Sequence, residues 1–133
     1  MQISERHNQP FSYLLAEACL TQSCEQALLD WFETDAPWKL VSQDFSDQYE
    51  FSLFDAKLPG AAASLIDPSE LEKLRRELSD QFATTLGSQV EIVAHKLVAG
   101  QRIGIHNDHM PGGETHRLTV QLNRGLTDED GGF

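Results

Sequence analysis

The stretch Gly104-Ile105-His106-Asn107-Asp108-His109 holds the residue types best suited to chemistry. On an extended strand, residues two apart point to the same side with Cα atoms roughly 6.5–7 Å apart, so His106 and Asp108 can converge on one ion. An imidazole and a carboxylate are two of the three donors in the 2-His-1-carboxylate set, which grips Fe(II) by one face and leaves the other open. A bare His-x-Asp also arises often by chance, so the surrounding pattern has to support it. Ile103 and Ile105 fall on the opposite side from His106 and Asp108, as expected if one face packs on helices and the other lines a polar cavity. Residues 117–123 repeat the division, with Leu118, Val120 and Leu122 on one side and Arg117, Thr119, Gln121 and Asn123 on the other. Two strands divided alike point to a shared cavity.

The other histidines read more plainly. His109 sits in a Pro-Gly-Gly turn and His116 at a strand start, where each is expected to bond locally or face solvent. Either could serve as a further ligand only if the loop folded back. His7 reads as terminal surface and His95 as a structural strand residue. Cys19 and Cys24 are the only cysteines, too few for a disulfide framework or a four-cysteine zinc site, and are expected to be reduced structural thiols.

The elements that must position these groups follow from periodicity and caps. Ser23 with Gln26 three residues later is a capping-box pattern, and Ala27, Leu28, Trp31 and Phe32 form one stripe of a first helix that Pro37 closes. Asp67-Pro68-Ser69-Glu70 is a stronger start: an N-cap carboxylate, Pro at the first helical position and Glu at the third. Leu71, Leu74, Leu78, Phe82 and Leu86 then recur at helical spacing until Gly87. Between the helices, 38–41 and 49–54 read as short strands joined by polar residues 42–48, a hairpin. After Gly87 the texture becomes β, with strands expected over 90–98, 103–108 and 117–123. Helices first and antiparallel strands later is the order of helices backing one face of a sheet, an α+β chain.

The run from His95 to Phe133 resembles the first half of the catalytic barrel of prolyl 4-hydroxylase-like Fe(II)/2-oxoglutarate dioxygenases. The likeness rests on a strand with a Gly-containing turn, His106-Asn107-Asp108, a Gly-rich loop, Arg117-Leu118-Thr119-Val120 leading to Leu122-Asn123, and the acidic Asp128-Glu129-Asp130 before Gly131-Gly132. The helical first part, with Trp38 and Tyr49-Glu50-Phe51, is similar more loosely. The resemblance implies a double-stranded β-helix, or jelly roll, here incomplete, and a single domain over 1–133 with a helical and hairpin part at 1–88 and barrel strands at 89–133. It implies Fe(II) held by His106 and Asp108, 2-oxoglutarate as co-substrate, ascorbate as a further cofactor candidate, and hydroxylation of an unactivated C–H bond. Thr119 and Gln121 match positions that face the oxoglutarate or the substrate. The family's distal His and the basic residue after it have no counterpart in this sequence, so the chain alone is expected to be inactive and truncated, with an open sheet edge that invites a second copy or a complementing chain.

The 133 residues, 40% hydrophobic and 23% charged, fit one ordinary domain without a staple. Ten basic against 21 acidic residues give a net charge of −11, which repels phosphate backbones and excludes nucleic acid as a direct partner. That charge tilts the expected substrate towards a cationic or peptide one, with an amino acid or other small molecule also open. No run approaches the roughly 18–20 apolar residues of a membrane span and the start lacks a secretory pattern, so the cytoplasm is the expected compartment. A metal-independent, acidic protein-interaction module, a degenerate relative of that family, is the competing expectation.

Overall fold

The structure, a computed structural model, describes residues 2–104 and 113–124. The expected α+β class is what it shows. Two helices lie in sequence with two small antiparallel sheets, one of two strands and one of three.

Helix α1 spans Gln22–Thr34. Its cap is Thr21, two residues before the expected Ser23: the Thr21 hydroxyl accepts the Cys24 backbone N–H at 3.2 Å. The Ser23 hydroxyl instead lies 3.2 Å from that of Thr21. Helix α2 spans Pro68–Gln81 and starts as its sequence dictates, with Asp67 Oδ1 accepting the N–H groups of Ser69 and Glu70. It stops well before Gly87. Phe82 caps it, and the chain turns through Ala83 at φ 49°. Thr84 N–H then bonds the Ser79 carbonyl, Leu86 N–H bonds the Ser79 hydroxyl, and Arg75 donates to the Leu86 carbonyl at 2.7 Å. Leu86 therefore folds back on the helix instead of extending it. These bonds outweigh the apolar spacing.

The central hairpin forms as expected but is tighter. Strands β3 (Lys39–Gln43) and β4 (Ser46–Ser52) leave only Asp44 and Phe45 between them. Strand β5 (Val93–Lys96) adds antiparallel to the other side of β4, giving the order β3-β4-β5. Phe51 and Ala94 are cross-strand partners on the face turned to the helices, and both are buried. Glu50 and His95, one residue along, share the other face.

The core is aromatic. Trp31 and Phe32 of α1 meet Phe51 edge-on at centroid distances of 5.4 and 6.3 Å, and Trp38 meets it at 4.9 Å. Edge-to-face pairs of this kind add about 0.5–1.5 kcal/mol each beyond area burial. Trp38 also donates its indole N–H to the Phe32 carbonyl at 2.9 Å, tying the first strand of the sheet to the end of α1. Two 3-10 turns, Leu53–Asp55 and Gly60–Ile66, bring Leu53 and Ala62 into the same interior.

An N-terminal hairpin escaped the sequence reading. Strands β1 (Gln2–His7) and β2 (Tyr13–Glu17) pair antiparallel, and His7, expected as terminal surface, stacks on Tyr13 at 4.5 Å. Residues 117–123 depart the other way: they run as irregular chain. Alternation supplies only side chains for a strand, and no neighbouring backbone among the described residues pairs with this segment. No helix among the described residues is long and apolar enough to cross a membrane.

Candidate functional site

The candidate site begins where the sheet hands the chain on. Past β5 the chain loops through Gly100 at φ 89° and returns to β4. There Asp47 N–H bonds the Arg102 carbonyl at 3.1 Å, Ile103 bridges Ser46, and Gly104 N–H bonds the Phe45 carbonyl at 2.6 Å. Residues 102–104 thus continue the β5 edge along the start of β4, with an insertion between the two pairings. The approach is close: a Cβ on Gly104 would stand 3.2 Å from the Phe45 carbonyl oxygen, tighter than most such contacts. Ile103 does not pack on the helices as expected. It is 44% exposed, because its bridge lies at the hairpin end, beyond the helical layer that covers Phe51.

His106 and Asp108 lie outside the described residues, as do Ile105 and His109. Their convergence on a metal therefore rests on spacing and donor chemistry. An imidazole nitrogen and a carboxylate oxygen are donors that Fe(II) accepts, and they supply two of the three protein ligands of such a centre. Among the described residues no group of three or more His, Cys, Asp or Glu side chains converges to hold a metal.

Thr119 and Gln121 are described, and both are exposed on irregular chain. The segment that carries them is anchored to the helices. Leu122 packs against the cluster of Cys24, Leu28 and Ala62, and Arg124 pairs with Asp30 at 2.7 Å and with Glu33 at 3.7 Å. At its other end His116 is exposed and bonds locally, as expected of it, with Nδ1 3.1 Å from the Thr115 hydroxyl, and its ring also meets that of Phe82 edge-on at 5.2 Å. Hydrogen bonds from Gln26 and then Arg124 hold the Asp30 carboxyl below the ordinary carboxylate range. The division of 117–123 into two faces survives at one point, Leu122. Leu118 and Val120 stay 48% and 42% exposed.

On the sheet face away from the helices, His95 Nδ1 lies 3.6 Å from Glu50 Oε2, and Gln48 donates to the same oxygen at 3.0 Å. The other amide atom, Gln48 Oε1, is buried without a partner among the described residues. Lys39 is the register partner of Glu50 on the far side. This polar row was not legible as a unit, because only the observed register brings residues 39, 48, 50 and 95 side by side. The two cysteines are free, Cys19 exposed and Cys24 buried, where burial pushes the Cys24 thiol upward. Comparison of the chain with protein-family models, with curated proteins and with solved structures found no match.

Proposed function

We propose that the chain belongs to the Fe(II)- and 2-oxoglutarate-dependent oxygenases of the prolyl 4-hydroxylase-like type, with His106 and Asp108 as two metal ligands in a double-stranded β-helix. The observation that carries this is the ordered set of His106-x-Asp108, Arg117-x-Thr119-x-x-Leu122-Asn123, the acidic turn and Gly131-Gly132, all between His106 and Gly132. The three-stranded sheet lends support, since its helices cover one face and leave a polar face open, as a barrel wall requires. The residue run towards His106 also enters as a continuation of that sheet's edge.

In this reading Fe(II) with 2-oxoglutarate supplies O2 activation for hydroxylation of an unactivated C–H bond in a peptide, amino acid or small molecule. The His106 imidazole and the Asp108 carboxylate hold and orient the ion, and Thr119 and Gln121 bond the co-substrate once their segment pairs as a strand. The cytoplasm is the compartment the reading assigns, with ascorbate as an accessory cofactor and self-association through the open sheet edge.

The test is metal binding. Mn(II) added to the chain is expected to broaden the imidazole resonances of His106 before those of His7 and His95, and Asp108→Ala is expected to abolish that selectivity. Two ligands bind weakly, so the chain alone is expected to form no succinate from 2-oxoglutarate. Equal broadening of His106 in the parent and in Asp108→Ala overturns the proposal. A second reading, an acidic interaction module without catalysis, is favoured by the exposure of Leu118 and Val120. It predicts partner binding that persists in strong chelator.

A further inference from the structure

The N-terminal hairpin leans on the end of α2, and a cleft of about 300 Å³ opens between them. Arg6 closes one side. It donates to the Gln81 backbone carbonyl at 2.8 Å and to the Gln81 side-chain oxygen, so it caps the last turn of α2. A guanidinium has five N–H donors in a rigid fork, and these two bonds leave three. Asn8, Ser12 and Tyr13 line it as well: the Ser12 hydroxyl donates to Asn8 Oδ1 at 3.5 Å, which leaves the Asn8 amide N–H groups as donors, and the Tyr13 hydroxyl is without a hydrogen-bond partner among the described residues.

The aromatic walls are equally definite. The Tyr13 ring, backed by the His7 imidazole in a near-parallel stack at an interplanar angle of 12°, lines the cleft, and so does the Phe82 ring. His116 braces Phe82 edge-on. The hairpin and the helix end thus present two ring surfaces and a cluster of donors.

Charge separates this cleft from the rest of the molecule. The chain carries 21 acidic residues and a net charge of −11, yet no Asp or Glu lines the cleft among the described residues. Glu5, beside Arg6 in the hairpin, is bonded to His7 Nε2 at 2.8 Å. The α2 carbonyls at this end oppose an anion through the helix dipole, which acts within the last turn. Arg6 offsets that effect by bonding the Gln81 carbonyl itself.

We infer that this cleft binds a small aromatic carboxylate, its ring against Tyr13 and Phe82 and its acid group on Arg6 and Asn8. A carboxylate matches the planar guanidinium fork, and the volume sits at the lower end of the range for small-molecule sites, enough for one ring and one acid group. The site is built from residues remote in sequence from His106 and Asp108 and stands independently of the oxygenase reading.

The experiment uses the whole chain and three probes, benzoate, benzamide and acetate, followed through the ring resonances of Tyr13 and Phe82. Benzoate is expected to move both sets of signals saturably. Benzamide, with the ring but no charge, and acetate, with the charge but no ring, are each expected to bind at least ~10-fold more weakly, the worth of one charge-assisted hydrogen bond. Arg6→Gln is expected to remove the benzoate response. Because it also loosens the hairpin from α2, Asn8→Asp is the companion variant: it places a negative charge in the cleft, leaves the Arg6–Gln81 bonds intact, and is expected to weaken benzoate by a similar factor. His106→Ala with Asp108→Ala is expected to leave benzoate binding unchanged, which separates this site from the proposed metal site. Benzamide binding as tightly as benzoate, absence of a saturable shift at Tyr13 and Phe82, or an undiminished response in Asn8→Asp each overturns the inference.

Discussion

Leu28, on the inner stripe of α1, is 2% exposed and packs with Cys24 and Ala62, the latter wholly buried. Leu20, Trp31, Phe32, Leu58, Leu65 and Leu122 pack against the same cluster, so truncation would leave a hole that they close only in part. Leu28→Ala is therefore expected to lower unfolding free energy by about 2–5 kcal/mol in urea denaturation, the range for emptying a tight site. Titration acts on a different residue, Glu72. Hydrogen bonds from Arg75 and then Arg76 push its carboxyl down to about 2. A carboxyl depressed in the folded state adds stability that is complete above its unfolded pKa, ~4.3, and is lost as pH falls towards the folded value. Asp67 shifts the same way, chiefly through the Ser69 hydroxyl. Helical circular dichroism is expected to fall on acidification through that window, and Glu72→Gln to flatten the fall. An identical acid profile in Glu72→Gln would show that this carboxyl does not govern it.

At the scale of elements, the start of α2 was legible because every group that makes it is local: Asp67, Pro68, Ser69 and Glu70 are neighbours in sequence and in space. Its end was not, because Arg75 and Ser79 hold Leu86 through bonds that no periodicity encodes. The hairpin 39–52 could be read from alternation and a polar turn, whereas β1, Gln-Ile-Ser-Glu-Arg-His, has one apolar residue and was hidden. Tyr13-Leu14-Leu15 after Asn8-Gln9-Pro10 was the available signal for that unit. The candidate site was legible only as donor types and spacing in His106 and Asp108; the alternation around Thr119 and Gln121 pointed to a strand, but their segment runs as irregular chain, since alternation supplies side chains and not a pairing backbone. The bend after α2 gives a sharp test of local backbone cost. Ala83 adopts φ 49°, a conformation that favours glycine. Ala83→Gly is expected to raise stability by about 0.5–1 kcal/mol, read as a higher melting temperature, and a lower one would contradict the argument.

For the molecule as a whole, the balance is thin. Leu40, Leu97, Leu118 and Val120 are among the apolar side chains left in water, and the net charge of −11 adds self-repulsion that salt screens.

The central strand sets the order in which such a molecule comes apart. Among the described residues only β4 has backbone neighbours on both sides, β3 along residues 46–50 and β5 along 49–52 with Ile103 at Ser46, while β1 and β2 have only each other. In deuterium oxide the amides of residues 46–52 should be the last to exchange and those of the first seventeen residues among the earliest, because local opening frees a two-stranded ribbon long before it frees a strand gripped from both flanks. A mass-spectrometric time course would display that hierarchy as a slow clock inside a fast one, and its inversion would mean that the molecule is held together from its N-terminal ribbon instead.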